Sequence, residues 1–325
     1  MRKLAWGLPA LVAAGLAGAT WVVRQSEPPA LILPATRAPA EIAPADLPAS
    51  PARPAEEPDA ERLAAALKLL GDAGRRERCG PYPLYTDVAD PRLLAACGRL
   101  ATALDGVYEE RYGVRPEGEP AEAIFLFSRI AAYRAFARGD GVPMGYAGYA
   151  VGGRGFAAFH LGTPGGGDRP LADFLSTLTH ELTHLVIRRS LGPNLPPWLS
   201  EGLADGIGDT AAEEGLRPLE AAAGSGAQAR RLRRAYRDGR AGGLERLVGL
   251  KRGEFDRGAI SFDYEQSALF VRFLLAEPGL APGFRSFLAA LAAGEPHAAE
   301  LLSRHLALSW PELDRRFEAW LGATS

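Results

Sequence analysis

The clearest pattern of apolar and polar positions in the chain lies between about residues 170 and 190. Apolar residues recur there with the 3.6-residue period of a helix and share one face: Leu171, Phe174, Leu175, Leu178, Leu182 and Leu185. His180 and His184 fall on roughly the opposite face. Residues typical of helix starts and helix ends flank this stripe: Asp168, Pro170, Arg188, Arg189, Gly192 and Pro193. The pattern predicts a helix with one face on a core and the other towards a cleft.

The patterns on the two sides of this helix differ. Upstream, helical and strand-like patterns alternate, with helices at 62–70, 91–112 and 130–138 and strands at 82–88, 121–128, 144–151 and 155–161. Downstream, only helical patterns occur, at 213–223, 228–238, 244–250, 264–275, 283–292, 297–306 and 310–321. The sequence therefore predicts an α+β fold, with an α/β lobe at 60–210 and an all-helical lobe at 211–325.

The N-terminus has the pattern of an export signal. A short basic start precedes an apolar stretch, residues 4–23, that is long enough to cross a bilayer. Residues 1–24 are expected to be either a signal peptide, cleaved near Ala17–Ala19, or a membrane anchor, which the apolar run beyond that site favours. A proline- and alanine-rich segment, 25–59, follows as an extended linker. We expect an exported protein in the bacterial periplasm, anchored to the inner membrane, or a secreted one if the segment is cleaved.

The composition argues against nucleic acid as a partner, and the cysteine count suggests a disulfide. The net charge of −2 gives no global field that would attract nucleic acid. The 325 residues, 47% of them hydrophobic, suffice for a substantial core. The only two cysteines are Cys79 and Cys97. In an exported chain an even pair predicts a disulfide, and two free buried thiols are the alternative.

The polar face of the central helix carries the pattern H-E-x-x-H at residues 180–184. Histidines four positions apart in a helix lie one turn apart on one side, close enough to bind one metal ion. Neutral imidazole is a good zinc ligand, and bound zinc lowers the pKa of water to about 7. Glu181 is placed to take a proton from such a water as it attacks a carbonyl. The pattern indicates a Zn²⁺ site, and an exposed helix with two ordinary histidines is the alternative.

A second helix, which Pro196 and Pro197 start, offers a third zinc ligand. Glu201 and Asp205 share one face of that helix at positions i and i+4. Glu201 is the candidate third ligand, and Asp205 is the candidate acceptor of a hydrogen bond from the far nitrogen of a ligating histidine. Gly202 favours close approach of the two metal-binding helices. A surface glutamate and a charge at a helix end are the alternatives.

H-E-x-x-H followed by W-L-S-E-G-L-A-D resembles the gluzincin metallopeptidases, the thermolysin-like superfamily. The resemblance covers both metal-binding helices, although the 17 positions from His184 to Glu201 are fewer than in thermolysin itself. It implies a thermolysin-like fold with zinc held by His180, His184 and Glu201, and with Glu181 as general base. It also implies that the sheet edge beside the zinc helix binds a peptide in extended form. The third-histidine extension of the metzincins is absent from the sequence.

Aromatic residues supply two further candidates. Tyr264 opens a helix after a glycine-containing loop, which resembles the placement of oxyanion-stabilising residues in such enzymes, and a helix-packing tyrosine is an equal alternative. Tyr146, Tyr149 and Phe156 precede the zinc helix in the chain. They either line a substrate cleft or, as the better-supported alternative, belong to the core and its turns.

These observations favour an exported zinc metallopeptidase that hydrolyses the peptide bonds of a peptide or protein substrate. Its expected partners include the membrane, through the N-terminal segment, and exclude nucleic acid. Two alternatives stay open. A catalytically inactive scaffold module of the cell envelope would keep the fold, although Glu181 argues against it. A hydrolase of a non-peptide envelope substrate would use the same chemistry.

Overall fold

The computed structural model describes residues 60–116, 118, 120–142, 146–151, 155–162, 171–192, 194–211, 220–255, 260–297 and 299–324. The predicted N-terminal segment (1–24) and linker (25–59) lie outside these described residues. The expected helix-start residues Asp168 and Pro170, and the expected stop residue Pro193, lie outside them as well.

A five-stranded mixed sheet forms in the first half of the described chain. Its strands are β1 (Arg75–Cys79), β2 (Tyr82–Thr86), β3 (Ala123–Phe127), β4 (Gly148–Val151) and β5 (Phe156–His160). Their order in space is β1-β2-β3-β5-β4. β3 is parallel to β2 and to β5, whereas β1 pairs antiparallel with β2 and β4 pairs antiparallel with β5. β4 is therefore an edge strand, and the fully buried β3 is central.

Helices cover both faces of this sheet: α1 (Ala60–Leu70), α2 (Pro91–Val107), α3 (Ile130–Arg138) and α4 (Leu171–Leu191). Successive residues of β3 point to opposite faces. Phe125 and Phe127 join the aromatic core under α1 and α3. Ile124 and Leu126 join the core that α2, α4 and the later helices build. The sheet thus separates two cores.

The second half is helical throughout its described residues: α5 (Pro197–Ala211), α6 (Glu220–Arg237), α7 (Leu244–Gly249), α8 (Arg252–Phe255), α9 (Ile260–Ala276), α10 (Ala281–Ala292), α11 (Ala299–Leu306) and α12 (Trp310–Ala323). A 3₁₀ turn, Gly71–Ala73, and a π-helical turn, Tyr108–Tyr112, complete the elements. α9 packs along α5, and α5 packs along α4. α5 is therefore held between the central helix and the helical half.

Local sequence signals explain where α2 begins and where α4 ends. The Asp90 side chain caps α2 by accepting a hydrogen bond from the backbone N–H of Arg92 at 2.8 Å, and Pro91 occupies the first turn. α4 ends where Gly192 adopts a φ of 94° and its N–H donates to the Arg188 carbonyl at 3.0 Å. The predicted stop at Gly192 is therefore confirmed.

The α+β class is confirmed, the described residues of the second half form helices as expected, and the strands expected upstream of the central helix are present as β2 to β5. β1 is not predicted from the sequence. Its residues Arg75 to Arg78 show no alternation of apolar side chains, and only Cys79 at its end is buried. Because β1 forms one edge of the sheet, most of its side chains remain in contact with solvent.

The prediction of membrane attachment is not supported. In the part of the chain that the structure describes, no helix is both long enough and apolar enough to pass through a bilayer. The prediction rested on residues 1–24, which lie outside that part.

The predicted disulfide between Cys79 and Cys97 is wrong, because both cysteines are free. Cys79 ends β1, Cys97 lies in α2, and both thiols are buried in the apolar core that joins these two elements. Burial raises the pKa of the Cys97 thiol to about 12 and that of Cys79 above its usual range. The two behave as protonated, apolar core residues, which was the open alternative.

Candidate metal centre

α4 brings His180 and His184 together as their spacing predicts. Their Nε2 atoms are 3.2 Å apart, and their rings are nearly perpendicular, at 83°. One ligand atom from each of His180, Glu181 and His184 lies within 4.8 Å of the others. The apolar stripe of the same helix, including Leu178 and Leu182, is buried in the core. The predicted division of this helix into a core face and a cleft face is therefore confirmed.

α5 places the Glu201 carboxylate against both histidines. Its Oε2 atom lies 3.4 Å from Nε2 of His180 and 3.6 Å from Nε2 of His184. Ligand atoms about 2.0–2.1 Å from a zinc ion at tetrahedral angles are about 3.3–3.4 Å from one another. The three atoms form a triangle of nearly that size, so these residues fit a zinc ion.

The other ring nitrogen of each histidine has a partner from α5. Nδ1 of His180 lies 2.8 Å from Oδ1 of Asp205, as predicted, and Nδ1 of His184 lies 3.1 Å from Oγ of Ser200. Such contacts fix the ring and its tautomer and leave Nε2 available to a metal. Ser200 is not predicted from the sequence, because adjacent helix positions point about 100° apart and its place directly before Glu201 does not put both side chains on one face.

Glu181 is buried beside this group, with 9% of its surface exposed. Burial raises the pKa of its carboxyl group to about 7, and the nearby Glu201 charge acts in the same direction. His180 and a hydrogen bond from the backbone N–H of Ala150 act in the opposite direction. Ala150 belongs to the edge strand β4, so the sheet edge directly contacts the candidate base.

The two histidines differ in charge preference. Burial lowers the pKa of His184 to about 4, so this ring is neutral near pH 7. Burial alone would also lower the pKa of His180, but its hydrogen bonds to Asp205 and Glu201 outweigh burial and raise that pKa well above its ordinary value. Burial alone would raise the pKa of Glu201, but His184, His180 and Arg252 hold it below its usual range.

Arg252 is a site residue that the sequence does not reveal. It begins α8, and its Nη1 donates a hydrogen bond to Oε1 of Glu201 at 2.8 Å. The two residues are 51 positions apart, and no periodicity or motif links them. Only the packing of α8 on α5 brings them together.

A cavity of about 340 Å³ opens at His184 and is lined by Ala150, His184, Ile187, Arg188, Gly192, Leu195, Ser200, Glu201 and Arg252. A second cavity of about 910 Å³ adjoins it and shares Leu195 and Arg252 with it. The walls of the second cavity are mainly apolar, with residues such as Val248 and Leu291. A substrate bound at the histidines would therefore have room to extend past Arg252.

Gly202 has a different neighbour from the one predicted. A Cβ atom at this position would lie 2.6 Å from the Ser267 carbonyl oxygen and 2.7 Å from Cγ2 of Val271. Both neighbours belong to α9, not to α4. The glycine therefore allows α5 to approach α9 closely, and the prediction that it brings the two metal-binding helices together is wrong.

The aromatic residues predicted near the site lie against α8, in the core of the sheet or at the surface. The ring of Tyr264 packs against Phe255 of α8, with centroids 4.7 Å apart. This contact agrees with the packing alternative, and a role for its hydroxyl in the site stays a prediction. Tyr149 and Phe156 are buried in the aromatic core, as their core alternative expects, and Tyr146 is exposed.

No model of a known protein family matches the chain, and no curated protein matches it. The argument for a function therefore rests on the residues of this chain and on the distances between them.

Proposed function

We propose that this protein is a zinc-dependent metallopeptidase of the gluzincin type with a thermolysin-like fold. The observation that supports it most is the triangle of Nε2 of His180, Nε2 of His184 and Oε2 of Glu201, with sides of 3.2, 3.4 and 3.6 Å. Two imidazoles and one carboxylate are a ligand set that catalytic zinc uses. A structural zinc site would need no buried carboxylate beside its ligands, whereas Glu181 lies there.

Zinc, when bound, would polarise a carbonyl group and lower the pKa of water near it. The remaining chemistry belongs to the protein. Glu181 accepts a proton from the attacking water and returns it to the leaving amine, and a pKa of about 7 suits a group that does both. The Ala150 N–H holds this carboxylate in place. Asp205 and Ser200 orient the two histidines by their Nδ1 atoms.

The substrate proposal rests on the position of β4. Among the strands that the structure describes, β4 pairs with β5 alone, and it contacts α4 on the side where Glu181 lies. An open strand edge beside a catalytic site suits a peptide in extended conformation, which can add to the edge by backbone hydrogen bonds. We keep Tyr264 as a candidate oxyanion donor, because its ring contacts Phe255 of the helix that carries Arg252.

The first test is the metal content of the purified full-length protein by mass spectrometry, together with hydrolysis of a mixed peptide library. We expect one zinc per chain in the wild type and none in His184→Ala. Glu181→Gln should keep its zinc and lose hydrolysis by about 10²–10⁴-fold, because only the proton transfer is removed. A wild type that takes up no zinc, or a Glu181→Gln variant that hydrolyses peptides normally, would refute the proposal.

A further inference from the structure

The two oxygens of the Glu201 carboxylate have different neighbours. Oε2 faces Nε2 of both histidines, at 3.4 and 3.6 Å. Oε1 accepts the hydrogen bond from Nη1 of Arg252 at 2.8 Å. The side chain of Glu201 is 7% exposed, so solvent contributes little to the choice between the two oxygens. The guanidinium group therefore takes one oxygen and leaves the other for the histidine side.

The covalent structure of glutamate does not determine which carboxylate oxygen faces the histidines. Its last torsion has a broad, roughly two-fold energy profile, so the carboxylate can turn and exchange its oxygens at little cost. A hydrogen bond from a charged donor is shorter and about twice as strong as a neutral one. Arg252 thus supplies the restraint that the side chain itself lacks.

A second arginine–carboxylate pair shows what such a contact looks like without a metal site. Arg246 of α7 contacts Asp263 of α9 with two nitrogens, at 2.8 and 3.4 Å, and so uses both carboxylate oxygens. The exposures match those of the first pair, since Arg246 is 47% and Asp263 5% exposed, against 49% for Arg252 and 7% for Glu201. The pairs differ in that Arg252 bonds Oε1 of its partner and leaves Oε2 to the two histidines.

We propose that Arg252 is a positioning residue for the metal centre: by holding Oε1 of Glu201 it presents Oε2 alone to the ion. This inference rests on the proposed function, because it needs a metal at the two histidines. Arg252 reaches the ion only through Glu201. Partners of metal ligands typically change metal affinity by 10–100-fold when they are removed. A lysine carries the charge but not the planar fork, so it should restore the restraint only in part.

The test compares Arg252→Gln, Arg252→Lys and the matched control Arg246→Gln in the full-length protein. Zinc dissociation constants are measured by competition with a chelator at one pH and one ionic strength. We expect Arg252→Gln to bind zinc 10–100-fold more weakly than the wild type, and Arg252→Lys to lie between them. Arg246→Gln should bind zinc as the wild type does.

A second readout separates positioning from a general loss of structure. Visible absorption of the Co²⁺-loaded protein reports the number and geometry of the ligands. We expect one spectrum for the wild type and Arg246→Gln, and weaker bands for Arg252→Gln as the second oxygen of Glu201 joins the ion.

Three outcomes would overturn the inference in distinguishable ways. If the wild type binds zinc and Arg252→Gln binds it equally well with an unchanged Co²⁺ spectrum, Arg252 has no positioning role and the proposed function stands. If Arg246→Gln weakens zinc binding as much, the effect is a general one of lost ion pairs. If the wild type binds no zinc at all, the proposed function fails and this inference fails with it.

Discussion

Two clusters of buried charge lie on the two sides of the edge strand β4, and they are built differently. The arginine cluster consists of Arg62, Asp140 and Tyr149; the metal-site cluster consists of His180, Glu181, His184 and Glu201. In the arginine cluster the opposite charges face each other at 2.5 Å, with side chains only 10% and 3% exposed. The hydroxyl of Tyr149 donates to the same carboxylate at 2.6 Å. In the metal-site cluster two carboxylates lie near each other, and one of them has a pKa of about 7.

Some buried charges stabilise the fold, whereas others take part in chemistry, and the two clusters represent these two kinds. A buried charge that faces its opposite and is hydrogen-bonded lowers the free energy of the folded state relative to the same charge left unpaired. In the metal-site cluster, burial and the neighbouring Glu201 charge raise the pKa of Glu181 to about 7, a shift that is typical of groups that transfer protons. Substitutions in the arginine cluster should therefore change stability, and substitutions in the metal-site cluster should change metal binding and catalysis.

The largest effect is expected for Asp140→Ala. This change leaves the buried Arg62 guanidinium without its charged partner, which should cost about 3–5 kcal/mol in the free energy of unfolding. Urea denaturation measures it. The control is Asp238→Ala, whose partner Arg240 is half exposed, and for which a loss below about 1 kcal/mol is expected. If both variants lose less than about 1 kcal/mol in the free energy of unfolding, the buried ion pair of the arginine cluster does not stabilise the fold.

In the metal-free protein, Glu181→Gln is expected to raise the free energy of unfolding, by less than Asp140→Ala lowers it. The folded pKa of about 7 exceeds the ordinary 4.5, so the folded state binds more protons than the unfolded state between these pH values. Stability due to this carboxyl is thus greatest below pH 4.5 and is lost as the pH rises to about 7. Glutamine never ionises, so the variant should be more stable than the wild type by roughly 3 kcal/mol at pH 8.

Thermal unfolding of both proteins at pH 8 and at pH 4.5 checks this prediction, with zinc removed by a chelator. The advantage of the variant should nearly vanish at pH 4.5, where the wild-type carboxyl is protonated in the folded state and about half protonated in the unfolded state. A variant that is less stable than the wild type at pH 8 would show that the Glu181 charge is already compensated. The contrast between the two clusters would then disappear.

The sequence predicts the metal-site cluster far better than the arginine cluster. His180 and His184 are linked by the four-residue spacing of a helix, and Glu201 and Asp205 by the same spacing on the next helix. Arg62 lies in α1 and Asp140 in the turn after α3, 78 positions away in the chain. Local periodicity carries no information on such a pair, because only the packing of α1 on α3 brings them together.

The same limit explains the errors in detail. Arg252 and the Ala150 N–H reach the metal-site cluster through tertiary packing, and the neighbour of Gly202 could not be chosen between two helices from sequence alone. The disulfide prediction rests on the oxidising compartment expected of an exported chain. In the structure both thiols are free and buried in the core. The sequence thus predicts residues that share an element and misses contacts between distant elements.

The smallest effect is expected for Tyr149→Phe, which tests whether the two clusters act on each other through β4. The change removes the hydroxyl that donates to Asp140 and should cost about 1 kcal/mol, whereas Arg62 still pairs with that carboxylate. Ala150, the next residue of β4, holds Glu181 by its backbone N–H. Because the pairing of β4 with β5 fixes this backbone, we expect unchanged zinc affinity and hydrolysis. Tyr85→Phe, whose ring packs on the same core, is the control for stability. A Tyr149→Phe variant with altered zinc affinity would show that β4 couples the two clusters. The arginine cluster would then affect metal binding as well as stability.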